Sequence, residues 1–137
     1  MKSLKTLSTL FIAASLVLAF ASCSKNKDSV DTLSKDKMVG KWNMAIQANS
    51  GTVLWHAELK LNGAMEIDQL PYDGIPDVIL LWDLTGNNFT AHVDFNNITN
   101  YWKLDAPVDP KTLSMAGQFK LNDPATPQTA IFTMDKQ

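Results

Sequence analysis

Residues able to do chemistry are scarce in this chain and fall in few places. Its two histidines each stand two positions ahead of a carboxylate, as His56-Ala57-Glu58 and His92-Val93-Asp94. In extended backbone, residues two apart share a face, so each pair sets an imidazole beside a carboxylate. Those are donor types for a metal ion or an acid–base couple. Both pairs lie on the polar side of alternating runs, on strands that are not neighbours in a sequential sheet. That arrangement favours solvated surface pairs, and no metal or other cofactor is expected. The single cysteine, Cys23, directly follows an apolar run and offers a thiol for modification. No Gly-rich phosphate loop and no nucleophile elbow is present, so catalysis is not expected. The segment Leu-Pro-Tyr-Asp-Gly-Ile-Pro-Asp over residues 70–77 carries Tyr72 with two acids between two prolines. It reads either as the rim of a binding mouth or as a packed surface loop.

Lys2 and Lys5 precede an apolar stretch that ends in small residues and is shorter than a membrane span. This is the layout of a cleaved secretory signal over residues 1–22. Phe20-Ala21-Ser22-Cys23 resembles the lipobox of bacterial lipoproteins. The resemblance implies that Cys23 receives a diacylglycerol, becomes the mature N-terminus and holds the protein in the cell envelope, most simply at the outer membrane. Phe20 stands where that family usually carries Leu. Ala19-Phe20-Ala21 is also an acceptable site for ordinary signal cleavage, which would leave the thiol free. A lone free thiol suits an oxidising compartment poorly, so lipidation is the expected fate. Residues 23–32 then form the lipidated cysteine and a polar tether, and residues 33–137 form the domain.

Loss of Lys2 and Lys5 moves the formal net charge from −2 to −4, and the chain holds no arginine. Nucleic-acid binding needs a basic face, so that class of partner is excluded. With one cysteine, no intrachain disulfide forms, and burial alone must hold the domain.

Leu33 to Gly40 predicts one or two helical turns, with Ser34 as N-cap and Gly40 closing the end. From Trp42 the apolar period becomes two and stays so to the C-terminus, in eight runs that read as half-buried strands. Asn62-Gly63 predicts a two-residue type I′ hairpin. No other link has room for a crossover helix, which favours antiparallel neighbours throughout. The expected fold is all-β: an eight-stranded antiparallel up-and-down barrel behind a short N-terminal helical turn. A two-sheet sandwich is the alternative.

The helical turn followed by Val39-Gly40-Lys41-Trp42 resembles the opening of the lipocalins and of lipocalin-like bacterial lipoproteins. Gly40 and Trp42 match that family's Gly-x-Trp signature, which implies that Trp42 plugs the closed end of the barrel beneath the helix. Thr99-Asn100-Tyr101 only faintly echoes a second signature. The family's closing arginine is absent, with Lys136 or Lys120 as substitutes for its contact on the tryptophan.

The expected inward face is apolar throughout and carries Trp55, Trp82, Trp102, Phe89, Phe95, Phe119 and Phe132. Small residues at Ala57, Ala91, Ala106, Gly117 and Ala130 would leave room inside, but the aromatics favour a filled barrel. The expected function is that of a membrane-anchored, lipocalin-like, non-catalytic module that binds a small apolar ligand or a protein partner. The alternative is a filled-barrel interaction module without a small ligand. In the fourth run, Ile79 and Leu81 make the outward face apolar as well. They are expected to be exposed in the monomer and to form a contact with a second copy or another protein, with Tyr72 beside them.

Overall fold

The computed structural model describes residues 31–69 and 72–137. The signal segment, Cys23 and most of the tether lie outside the described residues. A four-residue helix, α1 (Lys35–Met38), leads into eight strands. These are β1 (Gly40–Ala48), β2 (Gly51–Leu59), β3 (Ala64–Asp68), β4 (Val78–Thr85), β5 (Asn88–Phe95), β6 (Ile98–Asp109), β7 (Ser114–Leu121) and β8 (Gln128–Lys136). Each pairs antiparallel with its sequence neighbour, and β8 returns to β1 from Trp42↔Lys136 to Gln47↔Ile131. The sheet thus closes as an up-and-down barrel and not as a sandwich. Closure removes the two edges that an open sheet of this kind would leave unpaired.

The cause is the alternation. In β1, Trp42, Met44 and Ile46 are buried while Lys41, Asn43 and Gln47 are exposed. Among the described residues every buried side chain is apolar. Because the strands alternate in direction, one end of the barrel gathers α1, the β2–β3, β4–β5 and β6–β7 turns and the C-terminus. The other end gathers the β1–β2, β3–β4, β5–β6 and β7–β8 links.

Some inward assignments fail, each for a local reason. The β5–β6 register shifts between Val93 and Phe95, which turns Phe95 outward; it is 53% exposed and packs on Tyr101 at 5.2 Å. Val53, opposite Ile46 and close to the β1–β2 turn at the end away from α1, is exposed. Leu61 belongs to a turn, because β2 ends at Leu59. That turn is not the expected type I′. The Gly63 N–H donates to the Lys60 carbonyl (3.1 Å), and the Lys60 N–H donates to the Ala64 carbonyl (2.8 Å). Of the loop residues Leu61, Asn62 and Gly63, only Gly63 has positive φ, +87°. This is a three-residue loop, a type I turn closed by a glycine bulge.

Candidate functional site

The two ends of the lumen are built differently. At the helix end, Trp42 is fully buried and its indole N–H donates to the Met38 carbonyl at 2.9 Å. Leu33 and Met38 are buried with it, so α1 and Trp42 close this end together. Gly40, at φ +129°, turns the chain from α1 into β1. Ser34 occupies the N-cap position but bonds no backbone N–H; its hydroxyl instead serves Asp36, whose carboxyl it holds below the usual range. The Lys136 ammonium donates to the Lys37 carbonyl at 2.5 Å, its side chain passing beside Gly40. It thus stands at the foot of the Trp42 strand as a cap on the helix. Lys120 pairs with Lys103 on the outer wall, away from Trp42.

At the other end, Trp55 of β2 and Trp102 of β6 stack in parallel, 5.6 Å apart with planes 5° from parallel. Phe119 meets both edge-on, at 6.3 and 5.4 Å. In a ring of eight, β2 and β6 stand opposite each other, so this stack bridges the lumen. Trp55 and Trp102 are half-buried. Between the two ends lie fully buried Leu59, Met65, Leu80, Phe89, Leu104 and Phe132. Trp82 lies against Phe89 and donates its indole N–H to the Lys60 carbonyl at 3.0 Å.

The histidines lie on the outer wall. His56 faces Asp68 across the β2–β3 ladder, and Glu58 faces Glu66. Lys60 bridges Glu58 at 3.1 Å and Glu66 at 3.3 Å. The hydrogen bond to Glu58 chiefly holds the Lys60 ammonium above the ordinary lysine range. These carboxylates serve an ion-pair network and do not pair with the imidazole. The β3–β4 loop folds down over them. Tyr72 stacks on His56 at 3.7 Å and donates its hydroxyl to the Leu54 carbonyl at 2.9 Å. One Asp68 oxygen accepts the Gly74 N–H at 3.0 Å, and the other is shielded without a partner. A groove of about 290 Å³ runs between His56, Glu58, Glu66, Asp68, Gly74 and Pro76. Tyr72 therefore lies on the outer wall and not over the mouth. Nor is it beside Ile79 and Leu81, because β3 stands between them. Leu70 and Pro71 lie outside the described residues.

His92 sits on β5 between Leu81 and Lys103. Among the described residues, no three His, Cys, Asp or Glu side chains group as a metal set. Ile79 and Leu81 project from the outer face of β4, 55% and 61% exposed, uncovered by α1 or by the loop. Cys23 lies outside the described residues.

No family model, curated protein or solved structure matches the chain. The structure itself defines the class: a closed eight-stranded antiparallel barrel of lipocalin-like form, with a helical turn over one end.

Proposed function

We propose that the protein is a lipid-anchored, non-catalytic barrel module of the cell envelope. Cys23 carries the anchor, and the domain acts through its outer surface. One observation carries this reading: an aromatic closure at each end of the lumen, Trp42 at one and the Trp55–Trp102–Phe119 stack at the other. A small-molecule site normally offers about 300 Å³ or more of concave space with a few convergent polar groups. The buried interior is wholly apolar among the described residues. Grooves of about 310, 290 and 570 Å³ lie on the outer wall. A second reading, a carrier of a small apolar molecule, draws on the half-burial of Trp55 and Trp102, since separating that pair would open the lumen.

Native mass spectrometry of the protein purified from its own envelope tests both parts. The expected species is a chain starting at Cys23 with its lipid and without a small ligand. A stoichiometric apolar ligand overturns the filled-barrel reading, and a free thiol at Cys23 overturns the anchor. The variant Cys23→Ser is expected to leave the membrane fraction. Unchanged partitioning into detergent would contradict that.

A further inference from the structure

Ile79 and Leu81 are successive outward positions on β4. The register sets Ala64 and His92 on either side of Leu81, and Glu66 beside Ile79. The β2–β3 turn, with exposed Leu61, is held against the same strand by the Trp82 N–H, which donates to the Gly63 carbonyl at 2.7 Å. Leu61 thereby extends the apolar strip toward the helix end. The charges that border the strip are paired. Glu66 is bridged by Lys60, and Asp83, the next outward residue of β4, is bridged by Lys35 of α1.

The start of the described chain is fixed at the foot of this same strand. Asn87, in the β4–β5 turn, accepts the Leu33 N–H at 2.8 Å and donates its amide to the Asp31 carbonyl at 2.9 Å. Only seven residues, Ser24 to Val30, separate Cys23 from Asp31. Fully extended, that length reaches about 28 Å, close to the length of an eight-residue strand. An anchor at Cys23 therefore holds the foot of β4 within one strand length of the bilayer.

We propose that in the anchored protein the outer face of β4 rests on the lipid surface, with Ile79, Leu81 and Leu61 at the boundary of headgroups and acyl chains. This rests on the lipid-anchor reading above. A diacylglycerol supplies two acyl chains, enough for stable anchoring, so a second contact serves to orient the domain rather than to hold it. Here the strip supplies it and sets which wall of the barrel faces outward. Both acids at its border have a lysine beside them, Lys60 being shared between Glu66 and Glu58.

The only cysteine of the mature chain is taken by lipid, so Ile79→Cys and Leu81→Cys each add a single thiol for a nitroxide label. Ile131→Cys is the control, because Ile131 is exposed on β8, opposite β4 in the ring. The lipidated full chain is reconstituted into phosphatidylcholine vesicles, and label collisions with oxygen and with a water-soluble nickel complex are compared. The expected oxygen-to-nickel ratio at 79 and 81 is at least about threefold that at 131, as for side chains at the acyl boundary. Equal ratios at the three positions, in protein that floats with the vesicles, overturn the strip. Failure to float overturns the anchor reading instead. Spin–spin broadening at 79 or 81 that persists without lipid also overturns the proposal, and assigns the strip to contact between copies. Should a cysteine at 79 or 81 disturb folding, Leu61→Cys gives the same readout with the same two outcomes.

Discussion

Trp42 and Gly117 show opposite limits of inference from a residue's type. The alternating run assigned Trp42 an inward face, and the resemblance of Gly40-Lys41-Trp42 to the lipocalin Gly-x-Trp implied that it plugs the barrel end. Its removal takes away a fully buried ring and leaves the Met38 carbonyl without its donor. Trp42→Ala is expected to lower stability by about 3–5 kcal/mol, read from urea unfolding; a loss below about 1 kcal/mol would contradict the plug. Gly117 was not legible. Its type promised space in the lumen, but a Cβ there would lie 2.0 Å from the Asp105 carbonyl oxygen and 2.5 Å from the Ala106 Cβ. The space is already taken by the backbone of the neighbouring strand. Gly117→Ala should therefore destabilise the barrel by about 1–3 kcal/mol, the range for overpacking. Unfolding at an unchanged urea midpoint would refute this.

At the scale of elements, the strands were readable because period-two alternation depends only on neighbours along the chain. The misses lie where a contact from elsewhere decides. The bulge that turns out Phe95 is a property of the β5–β6 pairing. The path of the β3–β4 loop follows Tyr72, which finds His56 and Leu54 on β2. Likewise α1, too short to persist alone, is held by Trp42 of β1 and Asp83 of β4, and the residues before it by Asn87. The Asp83 carboxyl is held below the usual range, first by its hydrogen bond from Lys35 and then by the Leu84 N–H. A carboxyl depressed in the folded state contributes stability above its unfolded pKa. That contribution is lost as the pH falls through the folded value. Acidification below about pH 4 is therefore expected to loosen α1 before the barrel. Amide exchange at residues 35–38 should rise first, and Asp83→Asn should reproduce the rise at neutral pH. Exchange that is unchanged in the variant would contradict a role for this pair.

For the whole molecule, the up-and-down order was legible because none of the seven links has room for a crossover, and closure into a barrel was favoured over a sandwich because it removes both edges. Whether that barrel is hollow was not. The answer depends on contacts between opposite walls, such as Trp55 with Trp102, which no local pattern encodes. The ends also differ in charge. The links at the mouth carry Asp73, Asp77 and Asp123 and no lysine, whereas Lys35, Lys37, Lys60, Lys111 and Lys136 lie at the helix end. The mouth aspartates cap their own loops, with Asp73 accepting from Ile75, Asp77 from Gln69 and Asp123 from Ala125. The acids at the mouth are thus spent on loop geometry, and on the reading proposed above the lumen behind them is filled. The most direct measurement of that claim is titration of the mature Cys23→Ser chain with an apolar fluorescent probe that brightens in a dry cavity. The intact chain should give no saturable one-to-one signal, and the double variant Trp55→Ala, Trp102→Ala should gain one. Saturable one-to-one uptake by the chain with its tryptophan stack intact would contradict the account.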